Sequence, residues 1–264
     1  MTGLRFVVIA AVAALGSGCI NSASVIKVKP DGSGTIEQTL LVNTAAMKGM
    51  MGGLGAVQAK TSGGILDEAE FKRIAERMGV RPVSLTPMKE GGFEGAKAIY
   101  AFDDISQIRV DQDPATPGGT RGGTATGSNP IRFAMAKQGT SSVLTITVDE
   151  QAAASATAKA SEAPRLESVD PAMLQMIKSM FQGFKVLIDL EVEGKIIKTN
   201  ADYVNGSRIT LLELDIAGIF EDEAKLRTLQ SKVGPGVTIS ELRPYLKDIK
   251  GVKLNHPSLT IEYR

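Results

Sequence analysis

Residues 185–216, KVLIDLEVEGKIIKTNADYVNGSRITLLELDI, constrain the fold more than any other part of the chain. Apolar and polar residues alternate along three runs, separated by Glu-Gly at 193–194 and Asn-Gly at 205–206. A period of two marks half-buried strands, and Asn-Gly between such runs favours a tight hairpin because both residues tolerate positive φ. The segment therefore predicts a strand–turn–strand–turn–strand meander. The pattern is anticipated upstream in VIKVKPDGSGTIEQTLLV, residues 25–42. There Ile26 and Val28 alternate with lysines, Pro-Asp-Gly turns the chain, and Ile36, Leu40 and Val42 resume the period. That is a hairpin signal.

Further strands are predicted around Pro82–Pro87, through Ala96, Ala98, Tyr100 and Phe102, and at the closing SLTIEYR. A second hairpin runs from IRFAMAKQ across GTSS into SVLTITVDE. An amphipathic helix is predicted over residues 66–79, with Leu66, Phe71, Ile74 and Met78 on one stripe and Gly79 as the cap. Another spans residues 170–184, opened by Asp170 and Pro171. Two short helices follow, FEDEAKLRTLQSK and SELRPYLKDI, the second capped by Ser240. Residues 45–60 have weak helical character because glycines at 49, 52, 53 and 55 each cost about 1 kcal/mol in a helix interior. Residues 111–129 and 151–169 read as loose loops. The predicted class is α+β: an antiparallel sheet of hairpins and a meander, with several helices packed on one face. The domain is expected over residues 25–220, followed by a helical extension over 221–264 that ends in a strand.

The N-terminus points to a compartment. Arg5 is the only charge before an apolar run over residues 6–15, and Gly16, Ser17 and Gly18 lead into Cys19, the single cysteine of the chain. A basic start, about ten apolar residues and a small-residue exit form a secretory signal, and the run is short of the roughly 20 residues that a membrane-spanning helix needs. Residues 15–19, LGSGC, resemble a bacterial lipobox, in which small residues precede a cysteine that is acylated and becomes the mature N-terminus. The bulky aliphatic usual three places before that cysteine is replaced by Gly16, with Leu15 one place further back. The competing readings are an ordinary secretory signal cut nearby and a buried core cysteine. The lipobox reading divides the start into a signal peptide over residues 1–18 and a short acylated tether over 19–24. Its partner is the membrane, through diacylglyceryl and acyl groups on Cys19. Its location is a cell membrane, on the periplasmic side of the inner or outer membrane.

Composition excludes several classes. The chain has 30 Lys+Arg against 29 Asp+Glu, and the signal removes one basic residue. A neutral remainder gives no electrostatic reason for nucleic acid binding. No Trp is present and aromatics make up 5%, which argues against a base- or sugar-stacking platform. His256, the only histidine, lies in the turn LNHPS with no nucleophile signalled beside it. One Cys and one His do not build a zinc site without two carboxylates. GMMGGLG lacks the spacing and the Gly-Lys-Ser/Thr ending of phosphate loops. No catalytic residue, metal or cofactor is therefore expected.

Methionine is what remains. Met47, Met50, Met51, Met173, Met176 and Met180 are six of the ten in the chain. Methionine is flexible and polarisable, which suits apolar surfaces that adapt to variable partners. The candidate apolar site comprises Met47, Met50, Met51, Met173, Ile177, Met180, Phe181 and Phe184; the alternative is that these residues pack as core.

The opening hairpin, the strand GFEGAKAIYAFDDIS and the hairpin GKIIKTNADYVNGSRITLLEL together resemble, in that order, the LppM-like domain of bacterial lipoproteins, over about residues 22–216. The resemblance implies an extracytoplasmic, membrane-tethered, β-rich domain without enzymatic activity that binds lipid. No functional residue set comes with it. Two functions follow: an anchored, non-catalytic domain that binds lipid or another apolar envelope ligand, or an envelope assembly protein that docks through a Met-rich helix or a sheet edge.

Overall fold

The computed structural model describes residues 20–43, 66–111, 130–148, 175, 178, 183–221, 223–232 and 237–264. Strand β1, Ile20–Val28, turns through Pro30–Gly32 into β2, Gly34–Asn43. Asp31 accepts from the Ser33 amide at 2.9 Å and from its hydroxyl at 2.7 Å, which shapes the turn. Helix α1, Glu68–Met78, is capped by Asp67, whose carboxylate accepts from the Glu70 amide, and ends on Gly79 at φ 72°. The hairpin of β3, Arg81–Glu90, and β4, Phe93–Phe102, follows.

These strands and four later ones form one large sheet. The later ones are β8, Lys185–Val192, β10, Val204–Asn205, β11, Arg208–Asp215, and β12, Val252–Leu254. The order is β10-β11-β8-β1-β2-β4-β3, and β12 pairs with β11. The second sheet has the order β5-β6-β7-β13-β9. Its strands are β5, Val110–Asp111; β6, Pro130–Gln138; β7, Ser141–Val148; β9, Ile196–Thr199; and β13, Ser258–Tyr263.

The core lies between the two sheets. Ile26, Val28, Ile36, Ala98, Tyr100, Ile188 and Leu190 of the large sheet meet Ile131, Leu144, Ile146, Leu259 and Ile261 of the smaller one. Helix α1 adds Phe71, Ala75 and Met78, and the Phe71 and Tyr100 rings meet at a tilt of 39° with centroids 4.9 Å apart. The C-terminal region contributes helices α2, Ile216–Glu221, α3, Glu223–Lys232, and α4, Ile239–Leu246.

The chain is mostly β with a few helices, and four expectations need correction. The large sheet is mixed, because β1 and β8 run parallel, from Asn21 beside Lys185 to Val28 beside Val192. The expected meander is broken: β8 pairs directly with β11, while β9 crosses to the second sheet beside β13. Gly194 sits at the crossing with φ 139°, where a Cβ would strike the Arg264 carbonyl. Gly206 takes positive φ at 62° and Asn205 does not, so the two-residue turn is Gly206–Ser207 and not Asn-Gly. The fourth helix is capped by Thr238 in a reciprocal box with Glu241, and not by Ser240.

Two boundaries also move. Residues 20–24, expected as tether, already belong to β1. Residues 221–264, expected as an extension, supply β12 to one sheet and an interior strand, β13, to the other. Of the expected loop over 111–129, Asp111 belongs to a short strand with Val110, and the rest of it, like the expected loop over 151–169, lies outside the described residues.

Candidate functional site

The strand directions bring six ends together. β1, β8 and β4 begin, and β2, β3 and β11 finish, at one end of the large sheet. Ile20 pairs with Val42 there, Asn43 with Phe93, and Lys185 with Asp215. Gly91 and Gly92, at φ 56° and 86°, make the exposed tip between β3 and β4. Ile20, Leu41, Phe93, Phe184 and Ile216 are half-buried at this end, so each keeps apolar surface in solvent. The charges beside them include the Lys89–Glu94 pair, 3.1 Å apart. Cys19 is bonded directly to Ile20.

The sheet is polar in a different way from mid-strand to the opposite end. On the face of the large sheet turned away from the core, charges alternate across five neighbouring strands. Arg208 on β11 bonds Glu191 on β8 at 2.7 Å and lies 3.6 Å from Asp189 on the same strand. On β2, Glu37 sits between Lys27 of β1 at 2.6 Å and Lys97 of β4 at 2.8 Å. The two lysines hold the Glu37 carboxyl below the usual range, and the bond from Lys27 to Glu37 raises the lysine in turn. Hydrogen bonding to Glu191 likewise raises Arg208. Asp189 is buried, and its Oδ1 has no hydrogen-bond partner among the described residues.

A cavity between the sheets is lined by Ile131, Ile146, Leu211, Leu254, His256 and Leu259, among others. Its volume is about 20 Å³, room for roughly one water and far too small for an acyl chain. Beside it Arg243 ties three partners. It bonds the Asp202 carboxylate, donates to the Leu254 carbonyl at 3.4 Å, and lies 2.8 Å from His256 Nδ1. A guanidinium only donates, so His256 Nδ1 accepts and its proton sits on Nε2. With each of the three Arg243 nitrogens engaged, the cluster reads as a clamp between α4 and the β12–β13 connection. Sequence reasoning found His256 but not its partner, because residues 243 and 256 carry no shared motif.

Of the residues proposed from sequence, Phe184 alone lies among those described. It precedes β8 at the end where β1 starts, and its carbonyl accepts from the Ile216 amide at 3.1 Å. Cys19, Met47, Met50, Met51, Met173, Ile177, Met180 and Phe181 lie outside the described residues. The chain stretches that carry these methionines adjoin Asn43 and Gly183, both at the β1-start end. Ile20 and Phe93 were missed, since position at a common sheet end emerges only from strand order. Among the described residues no group of three or more His, Cys, Asp or Glu could hold a metal ion, and no helix is long and apolar enough to cross a membrane.

Taken together, these features define a β-rich, two-sheet domain with apolar residues gathered at one sheet end. No family model matches the chain, and no curated protein matches it. Among solved structures it is similar to the NMR structure of the folded domain of the Mycobacterium tuberculosis LppM protein. The identity is 12%, the match covers 100% of this chain and 95% of that one, and the TM-score is 0.36. The likeness is distant and carries no functional reading of its own.

Proposed function

We propose that this chain is a bacterial lipoprotein, anchored by acyl groups on Cys19 and held on the extracytoplasmic side of its membrane. The domain acts there without catalysis, engaging lipid or another apolar envelope ligand. The observation that carries the reading is the position of the lone cysteine. It stands between a signal-like apolar run and the first residue of the first strand. An acylation site belongs at such a junction.

The cavity between the sheets is too small to enclose an acyl chain, which favours contact with an apolar ligand at the surface of the described residues. Docking through a sheet edge, the alternative, is disfavoured at β3. That edge carries Pro82 and Pro87, which remove ladder donors and blunt strand addition.

Growing the native chain with an alkyne-bearing fatty acid tests the reading. The wild type is expected to take up label and fractionate with membranes, and Cys19→Ser to lose both. Label retained by Cys19→Ser would contradict the assignment.

A further inference from the structure

We infer that the domain meets the bilayer end-on, through the β1-start end of its large sheet, and that its charged face stays in water. The inference rests on acylation at Cys19 as proposed above and goes beyond it by naming the contact surface.

Consecutive Cα atoms are 3.8 Å apart, and Cys19 precedes a residue already fixed in the sheet by its pairing with Val42. No tether remains, so acyl chains on Cys19 draw Ile20 to the lipid headgroups. Strands spaced about 4.8 Å apart place β8 and β2 beside that point and β4 about 10 Å from it. Phe184, Leu41 and Phe93 therefore fall within the footprint, as does the exposed Gly91–Gly92 tip.

Anchoring alone would also allow the sheet to lie flat on the membrane. Its outward face opposes that arrangement. This face carries charges, largely paired, along the strands: Lys97 level with Ala23, Glu37 and Asp189 level with Val25, and Lys27, Glu191 and Arg208 towards the far end. Seating them in the interface would strip water from several ion pairs at once, which their mutual attraction does not offset. End-on seating leaves them hydrated and buries apolar surface that the fold leaves half exposed.

The absence of Trp makes the test direct. Single tryptophans at Asn21→Trp and Phe93→Trp report the near end, and Lys29→Trp reports the far one. The near-end pair guards against one variant failing to fold, since Asn21 is exposed. β1 spans nine residues, so the two ends of the strand are about 26 Å apart at 3.3 Å per residue. The full acylated chain is reconstituted into vesicles containing brominated phosphatidylcholine, and acylation is verified by mass spectrometry. The expected result is loss of most emission from Asn21→Trp and Phe93→Trp, with Lys29→Trp undiminished. Equal quenching at both ends would mean that the sheet lies flat. No quenching at either end of an acylated chain would mean that the domain stands off the membrane. Either result overturns the end-on orientation while leaving the lipoprotein reading intact. An unmodified Cys19 overturns both.

Discussion

The Tyr263 hydroxyl donates a 2.9 Å hydrogen bond to the Lys29 carbonyl, joining the last strand of the chain to the turn that follows the first. Tyr263 is fully buried in the smaller sheet, and Lys29 leaves the larger one, so the bond ties the two sheets together.

Tyr263→Phe keeps the ring and removes the donor. The Lys29 carbonyl keeps only its bond from the Gly32 amide, and unfolding in denaturant is expected to show a loss of about 1 kcal/mol. Burial raises the Tyr263 phenol to about 12. A folded-state value above the unfolded one of about 10 means that the contribution is complete below pH 10 and lost as pH rises towards 12. The gap between wild type and Tyr263→Phe should close across that window. A gap that stays constant would deny the tyrosine this role.

Glu37 titrates in the opposite sense. Its carboxyl is lowered by hydrogen bonds from Lys27 and then Lys97. Its stabilising effect is therefore present above the unfolded value and lost as pH falls through the lower folded one. Stability of the wild type should fall more steeply below pH about 4.5 than that of Glu37→Gln. At neutral pH the variant should be less stable by about 0.5–1 kcal/mol, since the partners are part-exposed and screened. Parallel pH profiles would contradict the bridging role.

Gly95 faces a different constraint. It lies in β4 opposite Leu41, and a Cβ there would collide with the Leu40 carbonyl. Gly95→Ala is expected to push β4 away from β2 and to cost about 1–3 kcal/mol. Hydrogen exchange should speed up in β2 and β4 and stay unchanged in β13; uniform protection throughout would refute the prediction.

Arg243 holds Asp202 and His256 together from α4. Arg243→Met keeps the length of the side chain and removes every donor, leaving the exposed Asp202 carboxylate to water. A loss of about 0.5–1 kcal/mol is expected in thermal or denaturant unfolding, because water reaches the exposed Asp202 carboxylate. An unchanged melting curve would show that the clamp contributes nothing to stability.

The parts of the fold written in local chemistry were legible in the sequence. Ile26, Val28 and Ile36 alternate around Pro-Asp-Gly, and β1 and β2 pair as that pattern requires. Asp67 and Gly79 bracket α1 with a side-chain cap and a left-handed glycine. Long-range pairing was not legible. Nothing local in IDLEV says that it runs parallel to SVIKV, and Ile196 gives no hint that its strand leaves β8 for Tyr263. Asn205 misled because its neighbour supplies positive φ alone. The sheet end gathered around Ile20 was hidden for the same reason, since its members are distant in sequence and meet only through strand order.

The most direct test of the central claim is native mass spectrometry of the full chain purified from its own membranes. The account predicts a mature protein beginning at Cys19, heavier by its acyl groups, with further lipid that is released on dilution in detergent because it is held at the surface. A chain with an unmodified Cys19 would contradict it.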